Sequence, residues 1–174
     1  MRRVCAVTQD DPLAAPLLAE LAVEYSSRYG GSADEVRRDL ITYPAAEFAS
    51  PDGALLVVVE NEEPVAGGAF RRYDETTAEL KRIWTAREHR RRGLGRFVLA
   101  QLEAEIARRG YRRVYLTTGP RQPEAVALYN AAGYTALARD IELGIGRLHP
   151  FEKYLVPGAP ADAGEPGTYA GHPG

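Results

Sequence analysis

Three apolar, β-branched runs follow one another with almost nothing between them: ALLVVVE at 54–60, PVAGGAFRRYD at 64–74 and TAELKRIWT at 77–85, separated by the polar stretches NEE and ET. A parallel connection needs a crossover of about a dozen residues or more, so spacers this short force hairpins and an antiparallel meander. The flanks have a different period. RRVCAV at 2–7 reads as a short strand, and residues 11–29 as a helix with Pro12 near its start and Gly30 and Gly31 at its end. SADEVRRDLITY adds a second helix, in which Ser32 caps the N-terminus and Glu35, three residues on, completes a capping box. After the meander come a helix at 94–109, a strand at 112–118 and a helix at 123–132; YTALARD and HPFEKYLV read as closing strands. The class is α/β in the α+β sense, with a mixed, mostly antiparallel central sheet flanked by helices.

With 174 residues, 45% of them hydrophobic, the chain can bury the core of one globular domain. That domain is expected to span residues 1–155. Residues 156–174 hold nine Pro or Gly in nineteen positions and little to bury, which reads as a flexible tail. Near the N-terminus Gln9, Asp10, Asp11 and Pro12 interrupt any apolar stretch, and nothing later approaches the ~20 apolar residues of a membrane span. A cytoplasmic protein without membrane contact is expected. The single cysteine, Cys5, permits no internal disulfide and reads as a buried strand residue. His89, His149 and His172 lack the spacing of metal ligands, so no metal is expected.

The net charge of −2 hides an asymmetry: residues 81–113 carry eleven Lys or Arg against three Glu, and the remainder is acidic. At the centre of that basic block stands RRRGLGR, Arg90 to Arg96, running into FVLAQLEAEIARR. Leu94, Val98, Leu102 and Ile106 give the following helix one apolar stripe; Glu105 and Arg109 are placed to pair across a turn, and Gly110 ends it. Both glycines therefore sit at a helix N-terminus, where the first amides lack intrahelical partners and the dipole favours an anion. Without Cβ, Gly93 and Gly95 permit unusual backbone angles and close approach of a phosphate. A plain helix start beneath a surface arginine cluster fits the same residues, and the residues alone leave both readings open. A P-loop is excluded, since no Gly-Lys-Ser/Thr follows; a dinucleotide fold is excluded by the missing third glycine and by the meander upstream. Nucleic acid is not expected, given the acidic remainder and the lack of interleaved aromatics.

Arg90-x-x-Gly93-x-Gly95, after a strand and before an amphipathic helix, resembles the acyl-CoA-binding motif Q/R-x-x-G-x-G/A of the GNAT superfamily of N-acetyltransferases. QPEAVALYNAAGY at 122–134 resembles the family's second segment, here Ala125, Leu128, Tyr129, Gly133 and Tyr134, and FEKYL resembles its last strand. The likeness covers roughly residues 50–155. It implies a sheet splayed between its fourth and fifth strands and acetyl-CoA as co-substrate. Amides of Arg91, Gly93, Leu94, Gly95 and Arg96 would bind the pyrophosphate, with Arg90 and Arg92 adding charge around it. The strand ending in Ile83, Trp84 and Thr85 would pair with pantetheine in the gap, and Gln122 would cap the next helix or touch pantetheine. Tyr129 would return a proton to the leaving thiolate; without the resemblance a packing tyrosine fits as well.

Attack by an amine needs a neutral nucleophile, and stripping an ammonium of pKa ~10 at pH 7 costs roughly 4 kcal/mol. Glu79 is the candidate base, because with strict alternation Glu79, Lys81 and Ile83 share one face of the strand leading to the acetyl group. An exposed cross-strand partner for a cation, or a water chain doing the base's work, fits the same residue. Two positions depart from the family pattern: Gln122 replaces a frequent Asn, and Thr117 in LTTG stands where many bacterial sequences carry Glu. The expected activity is transfer of acetyl from acetyl-CoA to a primary amine of a small molecule by direct attack in a ternary complex. A protein or peptide acceptor, and a weakly catalytic CoA-binding regulatory module, are the alternatives; a homodimer is allowed. The acceptor is expected against the first two helices, where VEYSSRYGG supplies Tyr25 to Tyr29.

Overall fold

A computed structural model describes residues 1–119, 122–138, 140–143 and 146–155, so the expected tail lies outside the described residues. The elements run β1 (Arg2–Ala6), α1 (Ala15–Tyr29), α2 (Ala33–Thr42), β2 (Ala54–Glu60), β3 (Glu63–Arg72), β4 (Thr77–Thr85), α3 (Leu94–Arg108), β5 (Arg113–Thr118), α4 (Pro123–Ala131), β6 (Thr135–Ala136), β7 (Ile141–Leu143) and β8 (Gly146–Tyr154). Along the sheet the order is β1-β2-β3-β4-β5-β8-β6, with β7 pairing a separate stretch of β8. Every pair is antiparallel except β4 with β5.

The meander forms as the spacers require, with Asn61 and Glu62 both at positive φ in the β2–β3 turn. β2 is buried on both sides, and its residues divide between two cores: Leu55 joins Leu17, Leu21 and Trp84 under α1, while Leu56 joins Phe70, Leu102 and Leu116 under α3. The α3 stripe Leu94, Val98, Leu102 and Ile106 is at most 1% exposed. The capping box of α2 is present, Glu35 N donating to Ser32 Oγ at 3.1 Å and Ser32 N to Glu35 Oε2 at 3.5 Å.

Three sequence expectations are corrected. Cys5 sits in β1 only half-buried, its Sγ accepting from Arg3 Nη1 at 3.2 Å. The closing strands are shorter and longer than their patterns: β6 keeps two residues of YTALARD, Ile141–Leu143 forms a strand that the pattern missed, and β8 starts at Gly146. The strict alternation of β4 fails at a bulge. The β3–β4 register jumps from Gly67↔Trp84 to Ala69↔Lys81, and Arg82 takes φ 62°. One extra residue re-aims everything beyond it. Lys81 and Arg82 both lie near the Tyr43 ring, at 5.4 and 5.3 Å, on the side where Arg71 holds Glu79. Ile83 turns instead toward α3, where its Cδ1 is 2.5 Å from the position a Cβ on Gly68 would occupy.

Arg82 accounts for the bulge. It is 1% exposed, stacks over Tyr43 and Phe48, donates to Gln9 Oε1, and donates from Nη2 to the carbonyl of Leu40 at 2.7 Å. Leu40 lies in the last turn of α2, whose carbonyls carry the negative end of the dipole. Burial lowers the Arg82 pKa to about 10, so the guanidinium stays charged at neutral pH and ties α2 and the N-terminal loop to the sheet.

Candidate active site

The parallel pairing of β4 with β5 is short: Thr77, Ala78 and Glu79 pair with Arg113, Val114 and Tyr115, and beyond them the strands part. Into the gap opens a cavity of about 610 Å³. Its walls are Ile83, Trp84 and Thr85 of β4, the loop residues Arg90, Arg91 and Gly93 to Arg96, Thr118 of β5, Gln122 and the α4 residues Glu124, Ala125, Leu128 and Tyr129, and finally Glu24, Tyr25 and Arg28 of α1. Here the bulge has a function, since it turns the last residues of β4 into this gap.

The loop is built as a helix start without a protein cap. Arg91 and Gly93 both have positive φ, 65° and 75°. Gly93 is the N-cap of α3, makes no side-chain cap, and has no heavy atom within 4 Å of where its Cβ would be. α3 has no acidic residue in its first turn, so its dipole is uncompensated there, in contrast to α2. Gly95 is small for a packing reason: a Cβ would lie 3.2 Å from Leu128 Cδ2, so glycine lets α3 approach α4. The arginines divide. Arg92 points away, bonded to Glu60 Oε1 at 2.8 Å and His89 Nδ1 at 2.8 Å, and is absent from the cavity wall. Arg90 is paired with Glu24. Arg91 and Arg96 line the cavity with no ion pair among the described residues.

α1 crosses the cavity and is tied at both sides. Glu24 meets Arg90 of the loop, Arg28 meets Glu124 of α4, and Tyr29 Oη donates to Gln122 Oε1 at 3.2 Å. Gln122 Oε1 also accepts from Gly119 N at 3.0 Å. Gln122 therefore braces the β5–α4 loop and does not cap α4, which has no side-chain cap. Gly119 has no room for a side chain, because a Cβ there would fall 1.8 Å from Tyr29 Oη.

Tyr129 is 3% exposed, packs its ring 6.0 Å from those of Tyr134 and Phe151, and reaches the cavity wall. Behind it Glu103 is buried with Tyr134 Oη donating at 2.8 Å and Lys153 Nζ at 3.0 Å; burial pushes its pKa up to about 8 against the pull of those two partners. Glu79 is not brought to the cavity. It is 6% exposed, lies at the last paired position of β4, and is held by Arg71 at 2.7 and 2.8 Å. Thr117 is buried, its Oγ1 unpartnered among the described residues, and the β5 residue in the cavity wall is Thr118. Of the α1 residues in the wall, Tyr25 and Arg28 were expected against the acceptor, whereas Glu24 was not named, because a helical spacing does not say what its residues meet. Outside the cavity, Glu63, Glu88 and His89 are the group among the described residues close enough to share a cation, within 4.8 Å, and both glutamates are exposed.

The sequence profile of the Acetyltransferase (GNAT) family matches residues 17–134. That match begins in α1, well before the stretch legible by motif. An acyl-CoA N-acyltransferase assigned in Klebsiella pneumoniae is 26% identical and superposes with a TM-score of 0.70, covering 90% of this chain and 99% of that one. The PaiA N-acetyltransferase of Thermoplasma acidophilum, solved in complex with coenzyme A, has the same fold at 14% identity, with a TM-score of 0.70 over 89% of this chain and 99% of its own. Human N-acetyltransferase 8 is 36% identical over 94 residues, which are 50% of this chain and 41% of that protein. Among the described residues no helix is long and apolar enough to cross a membrane. With a splayed β4–β5 pair, an uncapped glycine-started α3 and a profile match over most of its length, the chain belongs to the GNAT family of acetyltransferases, which use acetyl-CoA as acyl donor.

Proposed function

We propose that the protein transfers the acetyl group of acetyl-CoA to a primary amine of a small molecule, by direct attack within a ternary complex. The observation that carries this reading is that the uncapped N-terminus of α3, the unpaired end of β4 and the Tyr129 side chain all open on one cavity. Amides of Gly93 to Arg96 take the pyrophosphate, where the helix dipole and the charges of Arg91 and Arg96 favour it. Arg90, still paired with Glu24, adds its remaining N–H groups beside them. Pantetheine runs along Ile83, Trp84 and Thr85 as an added strand, its amides paired with backbone that β5 leaves free, and beside Gln122. Tyr129 gives its phenolic proton to the departing thiolate. With Arg71 on its carboxylate, Glu79 takes the amine's proton only through water. The α1 ties support a small acceptor, since they close the α1 side of the cavity against a protein loop. The catalytic unit of this reading is the single domain 1–155.

The test is release of coenzyme A thiol from acetyl-CoA with a panel of primary amines and lysine peptides, by wild type and Tyr129→Phe. A general acid contributes about 10²- to 10⁴-fold, whereas a ground-state hydrogen bond is worth nearer ~1 kcal/mol. Tyr129→Phe is expected to lower kcat at least about a hundredfold with acetyl-CoA affinity within about twofold. Faster turnover of peptides than of any small amine contradicts the acceptor class. Acetyl-CoA binding without thiol release by any amine contradicts the enzyme in favour of a binding module.

A further inference from the structure

Tyr25 is 8% exposed and lines the cavity, yet its hydroxyl makes no hydrogen bond among the described residues. Buried tyrosine hydroxyls normally find a partner. Among the described residues, the side-chain atoms both unpartnered and sealed from solvent are on Arg82, Trp84, His89 and Thr117, and the Tyr25 oxygen is not one of them; Tyr25 stands in the cavity wall. Tyr25 belongs to the α1-side core and Tyr129 to the α3-side core, so the two rings reach the gap between β4 and β5 from opposite layers. Its place is fixed by its helix, because Glu24 and Arg28 tie α1 to the loop and to α4 on either side. The groups facing it are Glu24 and Tyr29 on α1, Arg82 on β4 and Tyr129 on α4. Burial, first, and then the neighbouring Tyr129 and Glu24 keep the Tyr25 phenol protonated well above its ordinary range, so it acts as a neutral O–H donor and never as a base.

We propose that Tyr25 is a further catalytic residue, a second hydroxyl donor to the leaving sulfur of coenzyme A, placed on the α1 side of the gap opposite Tyr129. The proposal rests on the acetyl-transfer reading above. In the step, the amine nitrogen bonds to the carbonyl carbon, the C–S bond breaks with its electron pair on sulfur, and Tyr129 passes its proton to that sulfur. The proton shed by nitrogen leaves through water toward Glu79, and the Tyr129 phenolate regains a proton from solvent. Tyr25 keeps its own proton throughout and shares it in a hydrogen bond. A phenol of pKa ~10 is a reluctant donor to a thiolate of pKa ~8.5, and a second O–H on the sulfur holds the charge while that transfer completes.

The experiment needs no acceptor. Coenzyme A is bound to the protein, and its thiol ionisation is followed by thiolate ultraviolet absorbance against pH in wild type, Tyr25→Phe, Tyr129→Phe, the double variant and Tyr73→Phe. Each Phe keeps its ring, and Tyr73 is 48% exposed outside the cavity wall. The bound thiol is expected to be about tenfold more acidic than free coenzyme A. Tyr25→Phe should remove about three- to tenfold of that acidity with coenzyme A affinity at pH 7 within about twofold, and Tyr73→Phe none of it. Tyr25→His, which restores an N–H donor, should recover part of the shift and covers the case in which the Phe variant folds poorly. A Tyr25→Phe midpoint coincident with wild type overturns the proposal, as does a loss of coenzyme A affinity with no change of midpoint. If wild type binds no coenzyme A by calorimetry, it is the acetyl-transfer reading that has failed.

Discussion

Gly93 and Gly95 stand two positions apart in one motif and are glycine for different physical reasons. Gly93 needs its positive φ and meets empty space, so Gly93→Ala adds only conformational cost, about 1–2 kcal/mol, or a fall in Tm of roughly 2–4 °C per kcal/mol. Gly93→Val adds a branched side chain at the phosphate and should weaken acetyl-CoA at least about tenfold by calorimetry. Gly95→Ala meets only the flexible end of Leu128, and acetyl-CoA affinity within about threefold of wild type is expected. If Gly95→Ala proves worse than Gly93→Val, the loop does not bind phosphate as described. The motif residues were legible in the chain because a helix start, a glycine pair and a charge block are local facts. Of Tyr25 only a place on the acceptor side was legible, because helical periodicity identifies a buried face without identifying the layer it meets. Arg92 was misplaced for a related reason: Glu60, which holds it, is 32 residues away in sequence.

The meander, the capping box and the α3 stripe were written in spacing and period alone. The bulge in β4 was not, since TAELKRIWT alternates well enough to suggest a regular strand; the register jump, the positive φ of Arg82 and its buried bonds to Gln9 and Leu40 reveal the extra residue. That bulge separates Glu79 from Ile83, and it is why the base read from alternation sits behind the splay. At α1, Glu24→Gln removes one tie of a partly exposed pair worth about 0.2–1 kcal/mol. Amide exchange in Ala15–Tyr29 should then quicken about two- to fivefold while α3 is unchanged, and equal protection in both proteins would show that the ties do not hold the helix. Between α3 and β8, Glu103 links stability to pH. Its folded pKa, about 8, lies above its unfolded one, so the folded state binds the extra proton. Stability from this group is full below the unfolded carboxylate range and is lost as pH rises toward 8. Denaturation midpoints measured from pH 5 to 9 should fall with pH in wild type and flatten in Glu103→Gln, which keeps the acceptor for Tyr134; parallel curves would refute the assignment.

Across the whole molecule, charge and architecture converge on one place. The basic block of 81–113 looks like a generic positive surface in sequence, but the fold spends much of it on ties: Arg90 to Glu24, Arg92 to Glu60, Arg108 and Arg109 to Glu105 and Arg113 to Glu152. Arg91 and Arg96, which line the cavity, flank the uncapped end of α3. Removing residues 157–174 is expected to leave Tm and acetyl-CoA affinity unaltered, because nine Pro or Gly in the last nineteen residues leave little to bury; a drop of several degrees would assign the tail to the domain. The most direct test of the central claim is a crystal structure of the complex with acetyl-CoA. The pyrophosphate is expected within hydrogen-bond distance of the Gly93 to Arg96 amides, pantetheine between β4 and β5, and the thioester sulfur beside the Tyr129 hydroxyl. A cofactor bound elsewhere, or phosphates at α3 with the thioester outside the β4–β5 gap, would contradict it.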